Sequence, residues 1–537
     1  MNKLFTLSLT SAQALAFAGC TGTSGDTQKS SAQASASSQA NAPYAERYRP
    51  QFHFTPRENW MNDPNGLVYH NGEYHLFYQY NPHGNKWGHM SWGHAISKDL
   101  VHWEELDVAL PEDQNYMIFS GSAVVDHYNT SGFGTKDNPP MVAIYTGHKQ
   151  QPAKGQNQQL AYSLDDGRSW TKYQDNPVLD ENMENFRDPK VFWHEPTERW
   201  IMVVALSTDY KIAFYSSPNL KDWTFLSHFE SPASELGIWE CPDLYALPVD
   251  GDENKTKWVL EIDLGAGEEG SVAGGSGGLY FVGEFDGKRF TADESTLPEH
   301  AEGPHQWVDY GKDFYAAVSW SDIPEEDGRR IWVGWMNNWQ YAQELPTTPW
   351  RSSQSIPRSL ELASYNGGLT MTQEPVKELQ MLRKDQREVS NLTLTNETRS
   401  LEDWGVHGKA LEMTVRFEPG TADTVGLNVR TGNSEKTVIR YNVNDQTLAL
   451  DRTQSGEVDF HPEFPGVHVA PMPLEGGKVE LHLFIDWSSV EVFGNDGAVV
   501  ISDKIFPEPS SQGVEVFAEG GTATVEQLNA WPLKSIW

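Results

Sequence analysis

The sequence predicts an all-β protein: a five-bladed β-propeller followed by a C-terminal β-sandwich. Three observations carry this. Short apolar or alternating runs (YHLFY at 74–78, MVAIY at 141–145, WIMVV at 200–204) are separated by Gly, Pro, Asn and Asp, the pattern of strands and tight turns. A degenerate motif returns several times along the first two thirds of the chain. Strict alternation then resumes after about residue 386, behind a break. No convincing long amphipathic helix is present.

The repeat supports the propeller. SKDLVHW at 97–103 returns as SLDDGRSW at 163–170, as SPNLKDW at 217–223 and, more loosely, as GEFDGKRF at 283–290. Each copy reads as a strand end, a polar turn and an aromatic that covers the next strand. The aromatics at 103, 170, 223 and 290 lie 67, 53 and 67 residues apart, which suits four-stranded blades with generous loops. Residues 48–370 then hold about five blades; a β-sandwich of similar hairpins is the competing architecture. Residues 371–385 read as a linker with one helical turn. Residues 386–537 read as a separate antiparallel β-sandwich, from LEMTVRF at 411–417 and VELHLFIDW at 479–487. With no aromatic platform legible in it, the sandwich is expected to cover the propeller rather than to bind glycan.

The ends and the composition set the setting. Residues 1–20 combine Lys3 with a short apolar stretch and read as a secretory signal. Ala18-Gly19-Cys20 resembles a bacterial lipobox with Cys20 as the lipidated residue, although Phe17 stands where Leu is usual; Ala16-Phe17-Ala18 also offers an ordinary signal-peptidase site. Residues 21–47, rich in Ser, Ala, Gln and Gly, read as a flexible tether. A lipid-anchored surface or periplasmic protein, or a secreted one, is expected, with any membrane contact made only through Cys20. No stretch approaches the ~20 apolar residues that cross a bilayer. The net charge of −35 opposes nucleic acid and anionic lipid and leaves a neutral polysaccharide acceptable. Two cysteines, Cys20 and Cys241, cannot build a disulfide framework.

Three acidic knots carry the candidate chemistry. WMNDPNG at 60–66 places Asp63 at a turn-forming Asp-Pro among aromatics. FRDP at 186–189 places Asp188 beside Arg187, which would hold it ionised. WECPD at 239–243 sets Glu240 among apolar neighbours, an environment that raises a carboxyl's pKa as a general acid requires. Glycoside cleavage needs two carboxyl groups flanking the scissile bond, and a third can hold sugar hydroxyls. In a propeller all three can converge at the axial mouth from successive blades. No step calls for a cofactor or a metal; His89, His94 and His102 read as strand or turn histidines.

Taken together, WMNDPNG at 60–66, FYQYNP at 77–82, WGHMSWGHA at 87–95, FSGSAV at 119–124, FRDP at 186–189, WECPD at 239–243, IWVGWMNNWQYA at 331–342 and PWRSSQSIPRSL at 349–360 resemble the signature set of glycoside hydrolase family 32, and LHLFIDWSSVEVFGNDG at 481–497 resembles its sandwich module. The resemblance implies a five-bladed propeller plus sandwich acting with retention on β-fructofuranosides. It implies Asp63 as nucleophile, Glu240 as acid/base and Asp188 as transition-state stabiliser. It places Trp60, Asn62, Gln79, Trp87, Phe119, Ser120, Arg187 and Trp335 around the terminal fructose. The nearest likeness is to exo-inulinases and levanases, with fructan or sucrose as substrate. An invertase-type enzyme or a fructosyltransferase on the same scaffold, an inverting propeller glycosidase and a non-catalytic glycan-binding lipoprotein are the alternatives.

Overall fold

In the computed structural model, residues 44–151, 153–231, 236–265, 270–298 and 305–537 are described; the leader with Cys20 and most of the expected tether lie outside them. Five mainly antiparallel blades form a propeller; three are separate sheets, and blades IV and V are joined into one by a parallel pairing of Val249 with Leu362. Their innermost strands are Asn59–His70 in blade I, Tyr116–Val125 in blade II, Phe186–His194 in blade III, Trp239–Val249 in blade IV and Tyr315–Ser319 in blade V. Each neighbours the next around the axis, and the last neighbours the first. The ring closes through backbone bonds, Tyr69 N–H to Ser321 O and Ser321 N–H to Leu67 O, both 2.9 Å.

Both faces of each blade are buried against neighbours, so the middle strands are apolar throughout. In the strand Arg199–Leu206, Trp200, Met202 and Val204 enter the seam with blade II, while Ile201, Val203 and Ala205 enter the seam with blade IV. The other seams are filled likewise: Phe77, Trp92, Ile118 and Tyr145 between I and II, Tyr245, Val282, Phe314 and Trp332 between IV and V, and Met61, Tyr78, Trp320 and Val333 between V and I.

The sequence repeat falls at one place in four blades, the hairpin between third and fourth strands. There the turn Asp or Asn caps backbone N–H groups. Asp99 Oδ1 accepts from Val101 and His102 at 3.0 and 2.8 Å, Asn219 Oδ1 from Lys221 and Asp222 at 3.1 and 2.9 Å, and Asp286 Oδ1 from Lys288 and Arg289 at 2.8 and 2.7 Å. Blade V lacks the motif because a tighter turn does the work. Its strands Arg358–Tyr365 and Gly368–Pro375 are joined by Asn366 and Gly367, at φ of 48° and 83°, the Asn-Gly hairpin in which both central residues are left-handed. This strand shifts the expected linker. Residues 371–375 complete blade V, and the single helical turn follows as a 3₁₀ segment, Lys377–Leu382.

The remaining strands form a two-layered sandwich around one apolar core. The strand Gly513–Pro532 belongs to both layers. Its first half pairs with Thr424–Thr431 and its second half with Leu411–Glu418. It turns the corner at Gly520 (φ 76°) and Gly521, opposite Asn396 (φ 48°) on the adjacent strand Arg387–Ser400.

The face between propeller and sandwich is ionic as well as apolar. Arg358 of blade V is fully buried and bonds Glu491 of the sandwich at 2.5 Å, Asp309 at 3.2 Å and Ser502 at 2.7 Å, with Phe314 and Phe493 on its guanidinium. His53 bridges Asp486 and Glu491, each at 2.8 Å. Arg452 of the sandwich pairs with Asp313 of the propeller at 2.5 Å. Burial alone would raise the Glu491 carboxyl; Arg358 and His53 outweigh it and hold Glu491 at about 2. Deleting one partner of such a network strands a buried charge. Arg358→Ala is therefore expected to destabilise the chain by about 3–5 kcal/mol in urea unfolding at pH 7. Because the folded pKa is depressed, the stabilisation held by Glu491 is full above about pH 4.5 and is lost as pH falls toward 2. A wild-type-like unfolding midpoint for Arg358→Ala would refute this account of the interface.

Candidate active site

One irregularity recurs in all five inner strands. Pairing with the second strand slips between Met61 and Pro64, Ile118 and Gly121, Arg187 and Lys190, Glu240 and Asp243, and Tyr315 and Val318. A bulge of this kind unpairs a residue and re-aims its side chain. Asp63, Ser120 and Asp188 stand inside three of these slips, and Glu240 and Tyr315, opposite Asp263 and Trp335, are the last paired residues before the other two. Proline has no N–H to give a ladder and is tolerated at bulges; Pro64, Pro189 and Pro242 mark three of them. Asp188, Cys241 and Ala316 adopt φ of 66°, 46° and 54°, a left-handed conformation uncommon for such residues. Gly121 permits the close approach in blade II, since a Cβ there would lie 2.1 Å from Ile144 O.

Three of the five, Ser120, Asp188 and Glu240, line a cavity of about 340 Å³ together with Asn62, Gln79, Trp87, Phe119, Arg187 and Trp339, and Tyr315 reaches it through its bond to Glu240. Asp63 is buried directly behind this lining; Ser120 Oγ donates to its Oδ2 at 2.6 Å and Asn62 Nδ2 to its Oδ1 at 3.0 Å. Asn62 is itself set by Trp60 Nε1 at 2.7 Å. Gln79 is fixed by Asn65 Oδ1 at 2.8 Å and Ile118 O at 3.0 Å. The Cys241 thiol lies 3.8 Å from Asp63 Oδ2 and 3.7 Å from Asp188 Oδ2, and the Cys241 N–H donates to Asp188 Oδ2 at 3.1 Å. Burial, Asp188 and Asp63 push the thiol well up, so it is a neutral donor between two carboxylates.

Two electrostatic expectations change. Arg187 serves Glu240 before Asp188: its Nε is 2.9 Å from Glu240 Oε1 and 3.9 Å from Asp188 Oδ2. Asp188 is not held low by its neighbour. Burial pushes it up to about 7, with Glu240 and Asp63 adding to the rise against Arg187. Glu240 is not in an apolar setting; its carboxyl is held by Arg187 on one oxygen and by the Tyr315 hydroxyl on the other. Asp63 is raised by burial and by Glu240, with Ser120 and Asn62 pulling the other way.

Trp60 and Trp335 stand behind the pocket rather than on its wall. Both are fully buried, with ring centroids 5.9 Å apart, and Trp335 Nε1 donates to Ser352 Oγ at 2.7 Å. They support Trp339, which presents the aromatic wall; its centroid is 4.8 Å from that of Trp335. Sequence reasoning named neither Trp339 nor Tyr315 as site residues, nor His148, which stacks on Phe119 at 4.5 Å. Trp339 lies inside the quoted 331–342 motif; Tyr315 lies in no such motif.

A family-model match covers residues 53–375 as the glycosyl hydrolases family 32 N-terminal domain, and a second covers 378–532 as the family 32 C-terminal domain. The chain belongs to glycosyl hydrolase family 32, and it is a glycosidase. It is 51% identical over 499 residues to a levanase of Bacillus subtilis strain 168, covering 92% of this chain and 72% of that one. Among solved structures it resembles an exo-inulinase from Aspergillus awamori (TM-score 0.84, 39% identity, 92% and 100% of the two chains). It also resembles a β-fructofuranosidase from Schwanniomyces occidentalis complexed with fructosyl-erythritol (TM-score 0.81, 33% identity, 92% and 99%).

The raised Asp188 gives a stability test. With a folded pKa near 7 above an ordinary 3.8, its contribution is fully present below about pH 4 and is lost as pH rises through 7. Asp188→Asn should thus match wild type in urea unfolding near pH 4 and exceed it at pH 8 by about 4 kcal/mol. Equal stabilities at pH 8 would show that Asp188 is not strained by its burial.

Proposed function

We propose that this enzyme is a retaining β-fructofuranosidase that releases terminal fructose from fructans, inulin or levan, and from sucrose. The observation that carries the reading is the meeting of three carboxyl groups from three blades, Asp188 and Glu240 on one cavity with a tryptophan wall and Asp63 directly behind it, bonded to Ser120 and Asn62 of that wall. The kinship with a levanase and an exo-inulinase supports the substrate class.

In this reading the terminal furanose packs on Trp87, Phe119 and Trp339, and the amides of Asn62 and Gln79 take its hydroxyls. Asp63 is the nucleophile. Ser120 and Asn62 aim it, and their hydrogen bonds favour its ionised form against the cost of burial. Glu240 is the acid/base. It protonates the leaving oxygen as Asp63 attacks the anomeric C2, then takes a proton from the water that frees fructose. Arg187 and Tyr315 hold its two oxygens and fix its orientation. Asp188 accepts hydrogen bonds from ring hydroxyls, bonds that strengthen as the ring gains oxocarbenium character. No residue outside this set is required for proton bookkeeping.

The apolar leader and the extracellular relatives support export from the cytoplasm, with Cys20 as a lipid anchor; mass spectrometry of the mature N-terminus distinguishes a lipidated Cys20 from cleavage after Ala18.

Asp63→Ala and Glu240→Gln should each lower kcat on sucrose and inulin by at least about 10²–10⁴-fold while circular dichroism stays unchanged. Chromatography should show fructose alone as the early product from inulin and levan. Substantial fructose release by Asp63→Ala, or oligosaccharides as first products, would overturn the assignment.

A further inference from the structure

We propose that His83, His89 and Glu112 bind a divalent transition-metal ion of the zinc or nickel type at the rim of the pocket, and that the ion immobilises the loop carrying Trp87. Each side chain offers one ligand atom, and the three atoms lie within 4.8 Å of one another. Two imidazoles and a carboxylate suit zinc, nickel or copper, whereas magnesium and calcium favour all-oxygen sites.

The site is organised beyond these three side chains. Asn81 straps the loop, accepting the His83 N–H at 2.9 Å and donating to Lys86 O at 2.7 Å. The His83 and His89 rings meet edge to face with centroids 5.2 Å apart. His89 takes a left-handed φ of 53° and reaches Glu112 Oε1 with Nδ1 at 2.6 Å. Glu112 is oriented from the other side. Gln150 Nε2 donates to its Oε2 at 3.0 Å and Ser91 Oγ accepts its N–H at 3.0 Å, which leaves Oε1 for the imidazole or an ion. Such outer partners align metal ligands. His89 is 59% exposed, so solvent can reach the ion and complete its coordination. The other two histidines considered with it are engaged elsewhere: His94 is buried with His75 at 3.0 Å, and His102 caps the Asp99 turn at 2.9 Å.

Trp87 lies between the two histidines in sequence, 39% exposed, and contacts Phe119 edge to face at 6.1 Å across the pocket wall. The same loop is tied to the strand bearing Asp63, since the Trp60 N–H donates to Gly84 O at 3.0 Å. An ion that joins the two ends of the loop to Glu112 would fix one wall of the pocket. Metal binding is independent of the proposed chemistry; the effect on substrate rests on that reading.

The test is calorimetric titration of the EDTA-treated full chain with zinc chloride, and separately with magnesium chloride. About one equivalent of zinc should bind, with no heat from magnesium. His83→Ala, His89→Ala and Glu112→Gln should each weaken zinc binding at least about tenfold, with unchanged circular dichroism. Zinc should shift KM for sucrose in wild type and leave it unmoved in His83→Ala, whose metal-free rate should equal wild type. Absent binding, or equal affinity in all three variants, would overturn the site. Binding without any change in KM would overturn the link to Trp87. Loss of hydrolysis in every protein would instead count against the proposed function and leave the calorimetry standing.

Discussion

The break in pairing that every inner strand makes at its axial end is the constraint on which this molecule depends. A regular propeller strand would send successive side chains into the seams on either side, where only apolar groups belong. The slip leaves Asp63, Ser120 and Asp188 unpaired, and it begins directly after Glu240 and Tyr315, so the alternation is broken at or beside each of the five. The result is a ring of Asp63, Ser120, Asp188, Glu240 and Tyr315 drawn from five blades. Rigid seams of buried aromatics, with the sandwich locked on through Arg358 and Arg452, hold the ring against the cost of left-handed backbone and crowded carboxylates.

That crowding defines the site's electrostatics. Three carboxyl groups share one guanidinium, Arg187, and its nearest contact is with Glu240. Burial then raises Asp188 and Asp63, and the neutral Cys241 thiol spans the gap between them. In the proposed reaction a sugar ring would bring hydroxyl donors to Asp188 and a developing positive charge to Asp63, both of which offset crowded negative charge. On that proposal the site is complementary to the charge that glycoside cleavage creates.

Much of this was legible in the chain. The repeat marked by Asp99, Asp165, Asn219 and Asp286 is local turn chemistry, which one short segment specifies by itself, and it located the outer hairpins of four blades. Asp63-Pro64 and Asp188-Pro189 were legible as Asp-Pro pairs, which form turns, although Asp63 lies not at a turn but at a register slip inside the strand Asn59–His70. Tertiary facts were not legible. Trp335 and Trp339 sit four residues apart in one motif, and only the tertiary fold, which buries Trp335 against Ser352, decides which faces the cavity. Arg187 lies beside Asp188 in sequence yet sits nearer Glu240, at 2.9 against 3.9 Å, a partner that only the adjacent blade IV supplies. Tyr315 has no local signature; it matters because blade V delivers it to Glu240. The end of the propeller was placed a few residues early, because Met371–Pro375 reads as polar linker until paired with Glu361 and its neighbours.

The central claim is that a furanosyl group is carried covalently on the blade I carboxylate. Acid quenching during steady-state turnover of sucrose, followed by peptic digestion and mass spectrometry, tests it directly. A hexosyl adduct on the peptide containing Asp63 is the predicted result. An adduct on another residue, or none at all alongside release of the inverted anomer, would contradict it.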